Sequence, residues 1–252
     1  MPDRLPLGHT ERKLHSTIKR EGTIIAGLID PEEFTPNQAG KLARKVQKAG
    51  ASAIFIGGST LADQSSLDHV VISVKRHVTL PVILFPGNIT GISKFANTIL
   101  FSSLLNSTNP YFIVGAQAIG AVQIRRLKLE TIPMGYLVFG TESATGFVGQ
   151  VRSIPFSKPS IAVMYALAAQ YMGMRALYLE AGSGSSQSIP PHVIKPVRKY
   201  FDGLLIVGGG ITEPEVAKNI SKAGANILVI GNLLQNPDFE TKLKALIKAV
   251  HS

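Results

Sequence analysis

The stretch that decides the fold of this chain is Ala176-Leu177-Tyr178-Leu179-Glu180-Ala181-Gly182-Ser183-Gly184. Its first half is continuously apolar, which is typical of a strand covered on both faces within a parallel sheet. The run ends at one carboxylate, Glu180, and then opens into two glycines and a serine. Backbone N–H groups and a hydroxyl at such a strand end can donate hydrogen bonds to an anion. The stretch therefore predicts a buried parallel strand whose C-terminal end belongs to a binding site.

Runs of the same kind recur along the chain and alternate with segments of helical spacing. The predicted strands are residues 23–29, 52–56, 81–85, 111–114, 134–139, 176–179, 204–207 and 226–230, and the predicted helices are 38–48, 67–76, 93–105, 161–172, 214–223 and 239–250. Eight such units in 252 residues favour an α/β fold of the (β/α)₈ TIM barrel type. An open doubly wound sheet is the alternative. We expect one domain over residues 1–252, with residues 1–22 as an N-terminal extension or helix that covers the barrel floor.

Composition excludes several kinds of function. The chain has no cysteine, so disulfides, thiolate metal sites and cysteine nucleophiles are ruled out. The sequence offers neither a signal-peptide core nor a membrane-spanning run, and we expect a cytoplasmic protein. The formal net charge of +10 comes from dispersed basic residues. This pattern favours a solvated surface, or else an anionic substrate or a membrane surface, over nucleic acid binding.

Two segments are candidates for binding elements. Residues 86–109 contain apolar side chains that line a groove or belong to an ordinary amphipathic helix. Residues 140–155 form the longest irregular stretch, and loops of this length are often lids or binding elements.

Polar residues follow the first two predicted strands. Asp30 and Ser59 are expected to be neighbours on the barrel rim, because the C-terminal ends of the strands converge there. One carboxylate and one hydroxyl suit Mg²⁺, which takes its remaining ligands from water and substrate phosphates. For Asp30 alone, an N-cap or Asx turn is the alternative.

Glycines follow the last two predicted strands. Gly209-Gly210 comes after the seventh strand and Gly231-Asn232 after the eighth, where barrels of this type often bind phosphate. Tight turns that require a positive φ are the alternative. Together with Gly182-Ser183-Gly184, these loops predict a phosphate site.

These residues resemble one known family in both content and order. The resemblance to the geranylgeranylglyceryl phosphate synthase family spans about residues 24 to 235 and is carried by Asp30-Pro31, Gly57-Gly58-Ser59, Phe85-Pro86-Gly87-Asn88, Tyr178-Leu179-Glu180-Ala181-Gly182-Ser183-Gly184, Gly209-Gly210 and Gly231-Asn232. It implies ether-bond formation between sn-glycerol 1-phosphate and a prenyl diphosphate. The related PcrB-type heptaprenylglyceryl phosphate synthases share the design, so the resemblance leaves the length of the prenyl chain open.

The resemblance also implies roles for individual residues. Asp30 and Ser59 would hold Mg²⁺, and Glu180 would accept the hydroxyl proton, unless its hydrogen bonds are only structural. Tyr178 is expected at the mouth of an apolar groove as a second catalytic residue. The residues expected to bind glycerol 1-phosphate are Tyr178, Leu179, Glu180, Ala181, Gly182, Ser183, Gly184, Gly209, Gly210, Gly231 and Asn232.

The resemblance suggests a homo-oligomer, and a lipid product makes transient contact with a membrane surface plausible. Two other classes stay open from the residues alone. One is a different phosphate-binding barrel enzyme that acts on a sugar phosphate. The other is a non-catalytic protein that binds nucleic acid or lipid headgroups.

Overall fold

The structure is a computed structural model that describes residues 7–58, 63–140 and 143–252. Eight parallel strands form a closed barrel in sequence order, and β1 pairs with both β2 and β8. This closure confirms the (β/α)₈ barrel and excludes the open doubly wound sheet. The strands are β1 Ile24–Ile29, β2 Ala53–Ile56, β3 Val82–Leu84, β4 Thr98–Leu104, β5 Glu130–Val138, β6 Ala176–Glu180, β7 Leu204–Gly208 and β8 Ile227–Ile230.

Helices surround the barrel. They are α1 His9–Glu21, α2 Pro36–Ala49, α3 Gln64–His77, α4 Ala116–Leu127, α5 Ala144–Val148, α6 Pro159–Tyr171, α7 Pro191–Tyr200, α8 Pro214–Lys222 and α9 Phe239–Val250. Four of them (α2, α6, α7 and α8) begin at a proline, whose fixed φ suits the first helical turn and whose missing N–H costs nothing there.

The strand side chains alternate between two apolar layers. One layer fills the barrel interior and includes Phe55, Ile83, Met134, Tyr178 and Ile206. The other lies between strands and helices. Because successive residues of a strand point to opposite faces, a residue two positions beyond an interior residue also faces the barrel axis. This alternation is what directs selected strand-end side chains into the site.

Helix α1 lies across the N-terminal ends of the strands. Leu14 of α1 packs into the interior layer, and the Glu130 carboxylate accepts hydrogen bonds from the first backbone N–H groups of the helix. Glu11, which is fully buried, forms an ion pair with Arg175 at 2.9 Å. These contacts join α1 to the start of β5 and β6 and so close the floor of the barrel.

The fourth strand was predicted in the wrong place. Residues 111–114 form a π-helical turn that leads into α4, and residues 98–104, which we expected to be helical, form β4. Pro110 has helical dihedrals, and the Asn109 side chain accepts a hydrogen bond from the Tyr111 N–H, so this segment starts a helix. Pairing of β4 with both β3 and β5 overrides the helical spacing of its apolar residues.

One barrel helix is missing. In the fully described stretch between β3 and β4, the only helical element is a single 3₁₀ turn, Ile89–Gly91. The outer surface of the barrel is therefore less covered on this flank than elsewhere.

The stretch 140–155, which was expected to be irregular, contains the short helix α5. Two isolated bridges join it to neighbouring segments, Ser107 to Val151 and Phe139 to Ile154.

Candidate active site

Two carboxylates lie at the C-terminal end of the barrel, as the sequence predicted. Glu180 is the last residue of β6, and Asp30 directly follows β1. Both side chains line the same pocket, together with Gly58, Tyr136 and Ser183. Glu180 lies two positions beyond the interior residue Tyr178, so the alternation of the strand aims its carboxylate into the barrel mouth.

The Glu180 carboxylate is held by donors on several sides. Its Oε1 accepts a hydrogen bond from the Gly182 N–H at 2.6 Å, and its Oε2 accepts one from the Tyr136 hydroxyl at 3.3 Å. Burial raises the pKa of Glu180 above its ordinary value, and the Gly182 N–H and the Tyr178 and Tyr136 hydroxyls partly offset the rise. The result is a fixed carboxylate that is a stronger base than an exposed one.

The two tyrosines remain protonated donors. Burial, reinforced by the charge of Glu180, raises the pKa of both Tyr136 and Tyr178 well above the ordinary value. The expected position of Tyr178 was wrong, since its ring is only 1% exposed and lies beneath the pocket. It packs against Phe85 and Tyr136, each at 5.1 Å between ring centroids. Tyr136 is the tyrosine that lines the pocket.

Asp30 is partly buried, and one of its oxygens serves a turn. Its Oδ1 accepts a hydrogen bond from the Glu32 N–H at 2.9 Å, which is the Asx turn considered from the sequence. Burial, the largest cause, and the charges of Glu33 and Glu32 raise its pKa. At Gly58, a Cβ would lie 2.3 Å from Asp30 Oδ2, so only glycine leaves room for the carboxylate there.

The predicted metal site is described only in part. Ser59 lies outside the described residues. Within the ranges that are described, no cluster of three or more acidic, histidine or cysteine side chains is positioned to hold a metal ion. Asp30 alone fits Mg²⁺ only if water and substrate phosphates complete the coordination, which is a common arrangement for this ion.

Three glycine loops meet beside Glu180. The Ser183 hydroxyl donates to Asn232 Oδ1 at 2.9 Å, which joins the loop after β6 to the loop after β8. Gly209 has φ +84°, and a Cβ there would lie 2.6 Å from Glu180 Oε1 and 2.8 Å from the Gly182 carbonyl oxygen. The loop after β7 therefore approaches both the carboxylate and the loop after β6.

These loops present unused backbone donors. Among the described residues, no acceptor is found for the backbone N–H groups of Gly184, Gly209, Gly210, Gly231 and Asn232. A 3₁₀ helix also begins at Asn232, so its N-terminal end faces the same region. Such an array of N–H groups binds an anion well.

Two predicted binding residues face the other way. The side chains of Leu179 and Ala181 belong to the layer between strands and helices, and the Ala181 N–H donates to the Gly208 carbonyl oxygen. These two residues therefore shape the site only through the course of their backbone.

An apolar slot continues from the pocket down the outside of the barrel. We call it the flank slot; it is lined by Pro86, Ile89, Ile92, Ile99, Phe101, Phe112, Ala116, Gly120 and Ile124. It lies where the β3–β4 connection lacks an α-helix. The apolar residues predicted to line a groove do so here, although they belong to a turn and a strand.

None of the helices in the described ranges combines the length and apolar character needed to span a bilayer.

Sequence reasoning missed several residues that line the pocket, among them Tyr136, Gln117 and Gly120. Tyr136 lies within β5, and only the register that pairs it with Tyr178 brings it to Glu180. Gln117 and Gly120 lie on α4, which was not predicted as a helix. The Gln117 amide donates to the Ser102 and Phe112 carbonyl oxygens and so ties α4 to β4 and the π-helical turn.

The fold and the site define the class of the protein: a (β/α)₈ barrel whose glycine loops after the last three strands present free backbone N–H groups beside a buried carboxylate. Comparison with known proteins then identifies the family. Residues 16–250 match the PcrB family, and the chain belongs to that family.

Its relatives share nearly the whole chain. It is 49% identical to the geranylgeranylglyceryl phosphate synthase of Nitrosopumilus maritimus over 95% of this chain and 96% of the relative. It is 46% identical to the synthase of the same name from Thermococcus gammatolerans over 98% of each chain. The crystal structure of (S)-3-O-geranylgeranylglyceryl phosphate synthase from Thermoplasma acidophilum, in complex with its substrate sn-glycerol-1-phosphate, matches with a TM-score of 0.90 and 37% identity. That match covers 94% of this chain and 97% of the other.

Proposed function

We propose that this protein transfers a prenyl group from a prenyl diphosphate to the C3 hydroxyl of sn-glycerol 1-phosphate. The product is an ether, and diphosphate is released, as in archaeal-type phospholipid biosynthesis. The likeness to the relatives supports geranylgeranyl as the prenyl group. The observation that carries the proposal is the position of Glu180, which lies between the glycine loops and the head of the flank slot.

The glycine loops would bind the phosphate of glycerol 1-phosphate. The free N–H groups of Gly209, Gly210, Gly231 and Asn232 would donate to its oxygens, and the Ser183 hydroxyl lies next to them. A phosphate held there leaves the glycerol chain extending toward Glu180. The flank slot would take the prenyl tail, since its lining is apolar.

Glu180 would act as the general base and orient the attacking oxygen. The allylic C–O bond of the prenyl diphosphate breaks, and its electron pair leaves with diphosphate. The glycerol hydroxyl oxygen bonds to the allylic carbon, and the hydroxyl proton passes to the Glu180 carboxylate. Tyr136 and Tyr178 would fix that carboxylate through their hydroxyl groups. We assign Tyr178 a positioning role, because it is buried beneath the pocket.

We further propose that Asp30, together with Ser59, holds Mg²⁺ beside the diphosphate. When bound, this ion would neutralise the charge that develops on the leaving diphosphate. Two observations support the assignment. Asp30 offers a carboxylate oxygen, the kind of ligand that Mg²⁺ prefers, and Gly58 has no side chain to crowd that carboxylate. Chelation by EDTA should abolish ether formation, and added Mg²⁺ should restore it. Full activity in EDTA would contradict the metal proposal.

The experiment that tests the function is a donor ladder. Purified protein, Mg²⁺ and sn-glycerol 1-phosphate are incubated with geranyl, farnesyl, geranylgeranyl and heptaprenyl diphosphate, and the ether products are identified by mass spectrometry. We expect ether formation with the geranylgeranyl donor, and much slower reaction when sn-glycerol 3-phosphate replaces the acceptor. Preference for the heptaprenyl donor would identify the alternative chain length. No ether with any donor would refute the function.

We also propose a homo-oligomer that works at a membrane surface. Helix α6 contains no charged residue, yet Met164 and Tyr171 on it are 69% and 81% exposed. A second copy of the chain would bury such a face.

Phe147, on α5 beside the pocket, is 89% exposed and is suited to lipid contact. Light scattering tests the oligomer, and vesicle flotation tests the membrane contact.

A further inference from the structure

A short segment covers the candidate active site. Residues 143–152, which we call the roof, contain α5 and the turn that follows it. Thr145 and Val148 are spaced by three, so they share one face of α5, and both line the pocket. The roof also approaches the loop after β6, since a Cβ on Gly182 would lie 2.9 Å from Ser143 Cβ. It therefore closes the pocket between the flank slot and that loop.

The roof has little stability of its own. Helix α5 has only five residues, and an isolated helix of that length does not persist in water. None of these five residues, all of them described, is buried. Gln150, which follows the helix, has φ +50°, a conformation that residues other than glycine keep only when their neighbours hold them there. The position of the roof must therefore be fixed by other segments.

The connection between β4 and α4 supplies these contacts. Three consecutive residues, Asn106, Ser107 and Thr108, bind the end of the roof, and we call them the latch. The Thr108 N–H and hydroxyl both donate to the Gln150 carbonyl oxygen at 2.9 Å. The Ser107 hydroxyl donates to the Gly149 carbonyl oxygen at 2.6 Å. The latch thus holds the turn whose backbone is unfavourable by itself.

Asn106 is the central residue of the latch and is only 2% exposed. Its Nδ2 donates to the Val138 carbonyl oxygen at 2.9 Å and to the Arg152 carbonyl oxygen at 3.0 Å. Its Oδ1 accepts the Val138 N–H at 3.2 Å. Val138 is the residue of β5 that pairs with Glu180. One amide, which offers two donors and an acceptor, therefore joins the roof to the strand beside Glu180.

We propose that Asn106 is a positioning residue that holds the roof over the head of the flank slot and so keeps water away from the ionising prenyl donor. This inference rests on the proposed function. A closed site protects a reactive intermediate from hydrolysis, and an allylic cation reacts with any oxygen nucleophile that reaches it. The latch residues lie outside the pocket lining, so they act on the fate of the donor through the roof.

Loosening the roof diverts the donor to water. The allylic C–O bond of the prenyl diphosphate breaks as before, and its electron pair leaves with diphosphate. The oxygen of a water molecule then bonds to the allylic carbon, and one proton of that water passes to the Glu180 carboxylate. The product is a prenyl alcohol in place of the ether. The ratio of alcohol to ether therefore reports how well the roof excludes water.

The test measures this ratio in three variants. Asn106→Ala removes the centre of the latch, and Ser107→Ala removes the bond to Gly149. Asn226→Ala is the matched control, because Asn226 also binds strand backbone, accepting the Leu205 N–H at 2.9 Å, but lies at the N-terminal end of the barrel. Each protein receives geranylgeranyl diphosphate, Mg²⁺ and saturating sn-glycerol 1-phosphate. Mass spectrometry quantifies alcohol and ether in one extract, the alcohol formed without enzyme is subtracted, and a thermal melt checks folding.

For Asn106→Ala we expect the ratio of alcohol to ether to rise at least about fivefold, the effect of one lost hydrogen bond on an opening equilibrium. Ser107→Ala should raise it by about two- to tenfold for the same reason. Asn226→Ala should leave the ratio unchanged even if it lowers the melting temperature. The KM for the prenyl donor should change little in all three, because none of the substituted residues lines the pocket.

Two outcomes would overturn the inference. One is an unaltered ratio in folded Asn106→Ala, and the other is an equal loss of alcohol and ether, which indicates a general structural role. If Asn106→Ala does not fold, Ser107→Ala decides by the same criteria. If the unchanged protein forms no ether, the proposed function fails. If it forms ether and the latch variants keep its product ratio, only this inference fails.

Discussion

Replacement of Glu180 by glutamine is the sharpest test of the proposed chemistry, because it removes the base and keeps the shape. The amide oxygen can still accept the Gly182 N–H, which now lies 2.6 Å from Oε1. The amide nitrogen would face the two tyrosine hydroxyls, which can accept hydrogen bonds as well as donate them. The variant also removes a buried charge whose pKa is raised by burial. We therefore expect its melting temperature to be unchanged or higher.

The kinetic effect should be large and confined to turnover. A positioned general base contributes about 10²- to 10⁴-fold, which corresponds to about 2.7 to 5.5 kcal/mol of activation free energy. The KM for glycerol 1-phosphate should change little, because the phosphate would be bound by the glycine loops. The assay is steady-state ether formation with each substrate varied in turn. If the folded variant keeps turnover within about threefold of the parent, far less than a general base contributes, Glu180 is not the base.

Three further variants test other parts of the structure. Tyr136→Phe removes a hydrogen bond that stabilises the charged form of Glu180, so the carboxylate pKa should rise and the acidic limb of the kcat profile should move to higher pH. Gly209→Ala places a Cβ 2.6 Å from Glu180 Oε1 at a residue with φ +84°, and it should raise the KM for glycerol 1-phosphate and lower kcat. Glu11→Ala removes the fully buried partner of an ion pair whose Arg175 side chain is 21% exposed, which costs at most about 3 to 5 kcal/mol. At about 2 to 4 °C per kcal/mol, the melting temperature should fall by at most about 6 to 20 °C, with kcat at low temperature preserved.

Each of these variants has a control or a contradicting outcome. The pH profile is measured at saturating substrate, because the phosphate ester itself titrates near about pH 6. An acidic limb at unchanged or lower pH would contradict the role of Tyr136. Gly173→Ala is the control for Gly209→Ala, since Gly173 has φ +80° with no atom within 4 Å of its added Cβ. Equal kinetic effects in the two would argue against a site role for Gly209. A melting temperature within about 2 °C of the parent would show that the Glu11 pair contributes less than about 1 kcal/mol.

The strand ends were predictable because two signals coincide there. A continuous apolar run followed at once by a carboxylate or by glycines marks both the buried strand and the loop that leaves it. Glu180 and Asp30 were found in this way, and the closed barrel brings them to one pocket. Tyr136 carries no such signal, because it lies inside β5, and only the register of β5 with β6 makes it a neighbour of Glu180. The prediction that Tyr178 lies at the pocket mouth was wrong for the same reason, because the register also decides how deep its ring lies in the barrel.

The region from β4 to α4 was predicted wrongly, and the cause is the feature that creates the flank slot. In a complete barrel, a helix between β3 and β4 would cover this flank and give it a helical pattern in the sequence. Here a single 3₁₀ turn connects the strands, and Phe101 and Ser102 on β4 are only half-buried. Without the helix, the only helical spacing on this flank is that of the apolar residues of β4, and pairing with β3 and β5 overrides it. Exposed apolar surface of this kind commonly marks a binding groove. The missing helix therefore accounts for both the ambiguous sequence pattern and the space that a prenyl tail would occupy.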